Sequence, residues 1–175
     1  MYLAHTALGS LDPAIARYIE AHRVHWMVHL MWRITLLGSP WFTLEVAVAG
    51  GLAMRMLARS WRALTLLVLA YAGAIILEIA LKLTVARPRP PAAWMAVIVS
   101  GVSFPSGHAA RAAALYGMLA CVIAELHGNW RRQLWITAAL LALLVGTSRV
   151  YLGVHWATDV IGGWIIGAAW LWVVI

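Results

Sequence analysis

Apolar runs of about 20 residues, each closed by a short polar or proline-containing turn, recur along this chain. A run of that length has few stable destinations. In a bilayer it becomes a helix, because every backbone N–H and C=O must then find its partner within the segment. The 175 residues are 64% hydrophobic and 11% charged, with mean hydropathy +0.86, which leaves too little polar surface for a soluble fold. We therefore expect an all-α integral membrane helical bundle, with residues 1–175 forming one domain. Eleven Trp, many near the ends of apolar runs, suit the membrane–water interfaces.

Residues 11–37 begin with Leu-Asp-Pro, where Asp12 is expected to cap a helix and Pro13 to take its first position. His22, His25, His29 and Arg33 then recur at helical spacing opposite Met27, Leu30, Met31 and Ile34. This amphipathic pattern predicts interfacial helices over residues 1–37, or a sixth span if residues 22–38 cross. No carboxylate shares the histidine stripe, which reads as a solvated face rather than a metal site. Residues 38–175 form the helical core, with spans expected at 41–58, 63–81, 106–126, 134–147 and 157–175. Pro88, Pro90 and Pro91 forbid a helix through residues 83–104, so that stretch is a loop with one short apolar helix near 94–99.

A net charge of +7 invites a nucleic-acid reading. The basic residues form no soluble face, however, and nucleic acid is set aside as a partner. Cys121 is the only cysteine, so the chain can build neither a disulfide framework nor a thiolate metal site. Residues 1–10 lack a basic segment followed by an apolar core, so no cleavable signal peptide is expected.

Three stretches concentrate polar chemistry. In Ser148 to Asp159, His155 and Asp159 lie four apart, so a helix from about His155 would let the carboxylate hold the imidazole. Arg149 adds a fork of donors suited to phosphate. In the second stretch, Lys82 is the only lysine among thirteen Lys and Arg residues and pairs with Glu78 at i,i+4 spacing. Arg89, rigidly flanked by prolines, can converge with Lys82 on one anion, while Arg87 reaches either that anion or a lipid headgroup. The third stretch, Pro105-Ser106-Gly107-His108, opens a helix whose free N–H groups favour an anion. Ser106 there can cap or donate, Gly107 admits close approach, and His108 is a candidate proton donor.

Together these read Lys-x6-Arg-Pro, Pro-Ser-Gly-His and Ser-Arg-x5-His-x3-Asp, and over residues 38–172 the chain resembles the type 2 phosphatidic acid phosphatase family of membrane lipid phosphatases. The resemblance implies a metal-independent hydrolase with no cofactor, acting on a lipid phosphomonoester or pyrophosphate. It implies His155 as nucleophile, Asp159 as its orienting partner and His108 as acid, then base. Lys82, Arg89, Ser106, Gly107 and Arg149 would bind the phosphoryl oxygens, as phosphoryl transfer requires positioning and charge stabilisation. Many bacterial members have six spans; this chain is expected to lack the first and to begin with the interfacial helices, a departure that leaves the motifs untouched.

Spans two to five alternate in direction, which puts all three motifs on one membrane face and Arg55, Arg59, Arg62, Arg131 and Arg132 on the other. The positive-inside rule then orients the site toward the periplasm or exterior of a bacterial plasma membrane. Similar motifs occur in vanadium haloperoxidases, which are soluble. A passive lipid-binding or transport protein would leave the histidines and Asp159 without a task, whereas a lipid phosphotransferase would use the same site. Undecaprenyl pyrophosphate is the first guess at substrate; phosphatidylglycerophosphate, phosphatidic acid and lipid A phosphates are the alternatives.

Overall fold

The computed structural model describes the backbone of residues 7–175 and the side chains from Leu11 onward, so the reading of residues 1–10 falls outside the described side chains. Among the described residues seven α-helices follow one another: α1 (Ala7–Ala21), α2 (His25–Leu36), α3 (Pro40–Ala58), α4 (Arg62–Val85), α5 (Gly107–Leu126), α6 (Arg131–Tyr151) and α7 (Ala157–Val174). Among the described residues, α3 to α7 are the five helices long and apolar enough to cross a membrane. At 15 and 12 residues, α1 and α2 reach only about 22 and 18 Å, short of a bilayer core of about 30 Å. Residues 22–38 therefore supply no sixth span.

Helix α5 is the centre of the bundle and packs against α3, α4, α6 and α7. Its Ala109, Ala110, Ala112 and Ala114 are fully buried, and small side chains let neighbouring backbones come close. Helix α7 answers with Gly163 and Gly167, four residues apart, whose missing side chains admit the α5 backbone at Ser106 and Ala110. Leu67, Leu115, Met118 and Leu171 fill the far half of the core. Trp41, Leu57, Ile165 and Trp172 face outward, as lipid contact requires.

The structure moves several expected boundaries. Helix α1 runs straight through Asp12 and Pro13; a proline there forfeits one backbone hydrogen bond without ending the helix, and Asp12 turns inward instead of capping. Helix α4 continues past residue 81 to Val85. The short helix expected at 94–99 is a single 3-10 turn at Ala92–Trp94. Beyond it the backbone makes no further helix: Ala96 N–H donates across to Leu152 O (2.9 Å), and Ser103 N–H closes the loop back on Arg87 O (2.7 Å).

Candidate active site

The loop before α7 carries His155, and the expected helical pairing with Asp159 takes a different form. Gly153 makes the turn at φ +72°, a conformation that favours glycine, and α7 begins only at Ala157, so His155 precedes the helix. Asp159 occupies the first turn of α7, where its Oδ2 accepts from the Trp156 N–H at 2.9 Å. His155 Nδ1 lies 3.5 Å from the same oxygen. Ser103 completes the corner: its hydroxyl donates to Asp159 Oδ2 at 2.5 Å and stands 3.4 Å from His155 Nδ1.

The other imidazole nitrogen, Nε2, faces Arg89 Nη1 at 3.2 Å. A guanidinium only donates, so Nε2 is the acceptor and the proton of the neutral ring sits on Nδ1, toward Asp159. That is the tautomer a nucleophilic imidazole needs. Burial, opposed by the hydrogen bond to Asp159, holds the His155 pKa down to about 4. Arg89 is fixed by donating to Val154 O (2.5 Å) and Ser100 O (3.2 Å), and burial lowers its pKa too.

His108 stands in the first turn of α5, with Arg111 Nη2 3.5 Å from its Nδ1. By the same reasoning Nδ1 accepts, and the ring proton lies on Nε2. Arg111, buried in the bundle, is anchored by Glu78 Oε2, and the other oxygen of Glu78 accepts from Lys82 Nζ at 2.5 Å, the pair expected from spacing. Gly107 lies against this carboxylate, and a Cβ at residue 107 would collide with it. Arg149 donates to Thr35 Oγ1 at 2.9 Å, while its Nε has no partner among the described residues. Ser106 is fully buried and makes no side-chain cap; its hydroxyl has no partner either. Its N–H donates to Asp159 O at 3.0 Å, which ties Pro-Ser-Gly-His to the His155–Asp159 stretch.

The eight residues expected from sequence thus sit around one cluster: the charges of Arg149, Arg111 and Lys82 bear on His108, and those of Arg149 and Arg89 bear on His155. Donors outnumber carboxylates, and two buried donors stand idle, which suits an anion with several oxygens. Among the described residues, no three His, Cys, Asp or Glu gather as metal ligands.

Sequence reasoning missed Arg111, Ser103 and Thr35; it had Glu78 only as the partner of Lys82, and Arg87 at the anion or a headgroup. Arg111 and Glu78 signal themselves as ionisable groups inside apolar spans. Ser103 and Thr35 give no local signal. Arg87 serves the carboxylate behind the nucleophile rather than the phosphate or a headgroup: Nη1 donates to Asp159 Oδ1 and Nη2 to Asp12 Oδ2, each at 2.7 Å.

Comparison with known proteins accords with this geometry. The PAP2 superfamily model matches residues 63–175. Phosphatidylglycerophosphatase B of Bacillus subtilis is 37% identical over 167 residues, covering 93% of this chain and 81% of the relative. An undecaprenyl-diphosphatase of Sulfolobus acidocaldarius is 35% identical over 107 residues, covering 58% of this chain and 48% of that protein. The crystal structure of a transmembrane PAP2 type phosphatidylglycerolphosphate phosphatase from Bacillus subtilis superposes with a TM-score of 0.92 at 35% identity, over 98% of this chain and 86% of that one. Aquifex aeolicus LpxE shares the fold, with a TM-score of 0.69 at 24% identity over 99% of this chain and 98% of its own. The chain belongs to the PAP2 superfamily, the type 2 phosphatidic acid phosphatase family of membrane lipid phosphatases.

Proposed function

We propose that this enzyme hydrolyses a lipid phosphomonoester or pyrophosphate at the membrane surface through a phosphohistidine at His155. The observation that carries this reading is His155 itself, with Nδ1 toward Asp159 and its lone pair on Nε2 beside Arg89. Nε2 attacks phosphorus in line, Asp159 stabilises the positive ring that results, and His108, entering as the imidazolium, gives its Nε2 proton to the departing oxygen and is left neutral. Lys82, Arg89 and Arg149 hold the equatorial oxygens with the Ser106 hydroxyl and the Gly107 amide. His108, now a base, activates the water that releases phosphate.

Among substrates, similarity along nearly the whole chain to a phosphatidylglycerophosphatase favours phosphatidylglycerophosphate. The shorter match to an undecaprenyl-diphosphatase supports undecaprenyl pyrophosphate as the second reading, the first guess from sequence. An apolar cavity of about 250 Å3 between α1, α6 and α7, lined by Ile19, Val150, Tyr151, Val160, Ile161 and Trp164, is consistent with a hydrocarbon tail nearby. Phosphate release from both lipids, phosphatidic acid and lipid A in mixed micelles tests the ranking. Phosphatidylglycerophosphate should give the highest kcat/KM, and a higher value for the polyprenyl substrate would reverse the order.

The site is proposed to face the exterior of a bacterial plasma membrane, since Arg55, Arg59, Arg62, Arg131 and Arg132 belong to the opposite helix ends. Single cysteines at Ala92 or Gly128 in a Cys121→Ala background test this in intact cells. An impermeant maleimide should label residue 92; labelling residue 128 alone would invert the topology.

A further inference from the structure

The family match begins at residue 63, yet the two N-terminal helices reach into the site. Helix α2 holds Arg149 through Thr35, and the segment between the helices holds the Trp94 carbonyl through Arg23 Nη2 at 2.8 Å. The deepest of these contacts is Asp12 on α1, 1% exposed although it is a carboxylate. A buried charge of this kind is costly unless fully partnered, and Asp12 has three donors. Its Oδ1 accepts from the Thr158 N–H at 3.1 Å, and its Oδ2 accepts from the Thr158 hydroxyl and from Arg87 Nη2. Thr158 immediately precedes Asp159 on α7.

Arg87 is the shared element. Left to one carboxylate, a guanidinium prefers to engage both oxygens with parallel N–H bonds. Here the fork is divided: Nη2 serves Asp12, and Nη1 serves Asp159 Oδ1 at 2.7 Å and the Thr158 hydroxyl at 2.6 Å. The division leaves Asp159 Oδ2 to the Trp156 N–H, Ser103 and His155. The Arg87 guanidinium also lies 5.6 Å from the centre of the Trp156 ring, beside His155 in the chain, which further limits its movement.

We propose that Asp12 is a positioning residue for the nucleophile: by holding Arg87 Nη2 and the Thr158 N–H, it confines Arg87 to one oxygen of Asp159 and reserves the other for His155. This rests on the reading of His155 as nucleophile. Without the Asp12 charge, Arg87 is free to take both oxygens of Asp159, and the imidazole loses the partner that stabilises its positive product. Asp12 touches no substrate in this account, so the loss should appear in kcat and not in KM.

The test is a double-mutant cycle on the purified full-length enzyme in detergent, using p-nitrophenyl phosphate. Asp12→Asn keeps the shape and removes the charge; kcat should fall about 10- to 100-fold, the scale for groups acting through a reacting residue's partner, with KM within about twofold. In an Asp159→Asn background the same substitution should cost less than about twofold, because the group it positions is already gone. Arg87→Lys keeps the cation without the fork and should reproduce the kcat loss, which supplies a second line if Asp12→Asn folds poorly. Wild-type kcat in either single variant, or full additivity in the cycle, would overturn the inference while leaving the nucleophile reading intact. Full turnover by Asp159→Asn itself would overturn both.

Discussion

Around His108 a buried carboxylate, Glu78, stands between two cations, Lys82 and Arg111; around His155 a guanidinium, Arg87, stands between two carboxylates, Asp12 and Asp159. The two networks are alike in construction and opposite in sign. The first carries one excess positive charge and offers a donor to the Nδ1 of its histidine. The second carries one excess negative charge and offers that nitrogen an acceptor. The rings are consequently held as opposite tautomers, with a proton on His108 Nε2 and a lone pair on His155 Nε2. One fold can thus turn the N–H of one neutral histidine and the lone pair of another toward the same site by changing what stands behind each ring.

The comparison is broken most severely by neutralising the carboxylate behind the nucleophile. Asp159→Asn leaves the shape of the corner and removes its charge; kcat should fall about 10⁴-fold, the scale seen when an aspartate behind a catalytic histidine becomes an amide. Steady-state turnover of p-nitrophenyl phosphate measures it, and a loss below tenfold would contradict the account. On the other side, Glu78→Gln leaves the Arg111 side chain, 6% exposed, without its counter-charge. It should cost about 3 kcal/mol of stability, because one member of a buried pair is stranded. Gly107→Ala presses a methyl group on the same carboxylate and should cost about 1 to 3 kcal/mol, read as a lower thermal midpoint.

A smaller effect appears in the pH dependence of stability. Burial lowers the His155 pKa from its ordinary 6.5 to about 4, so between those values the unfolded chain binds a proton that the folded chain refuses. The unfolded state gains protons as pH falls, and stability from this group is therefore lost from pH 6.5 down to about 4 and is flat outside that window. The thermal midpoint of His155→Gln should vary less across the window than that of the wild type; equal slopes would contradict the assignment. The smallest effect expected is none: excess EDTA should leave phosphate release unchanged, since Lys82, Arg89 and Arg149 supply the charge stabilisation proposed for the reaction. Strict dependence on added magnesium would contradict it.

What was legible in the sequence follows from the range of each interaction. The spans were readable because a long apolar run has one stable form in lipid, and the motif residues because prolines and Gly107 mark where helices must stop and start. The His155–Asp159 pairing was anticipated from spacing alone, although the helix begins two residues later than expected. The outer parts of both networks were not. Asp-Pro looks like a local helix start, and nothing near Asp12 discloses that its partners lie at Arg87 and Thr158. Thr35 and Ser103 are ordinary residues until the chain is folded. The N-terminal helices were therefore read as separate from the motifs, which the contacts of Asp12 and Thr35 correct.

The account stands on His155 forming the covalent bond while His108 manages the proton, and rapid-quench kinetics on the two alanine variants separates these tasks. p-Nitrophenolate is a good leaving group that needs little protonation, so His108→Ala should still release a burst of p-nitrophenol. It should also accumulate an acid-labile, base-stable phosphoenzyme at His155, because hydrolysis has lost its base. His155→Ala should show no burst with any substrate, since no covalent intermediate can form. A burst from His155→Ala and none from His108→Ala would show that the two roles are the other way round.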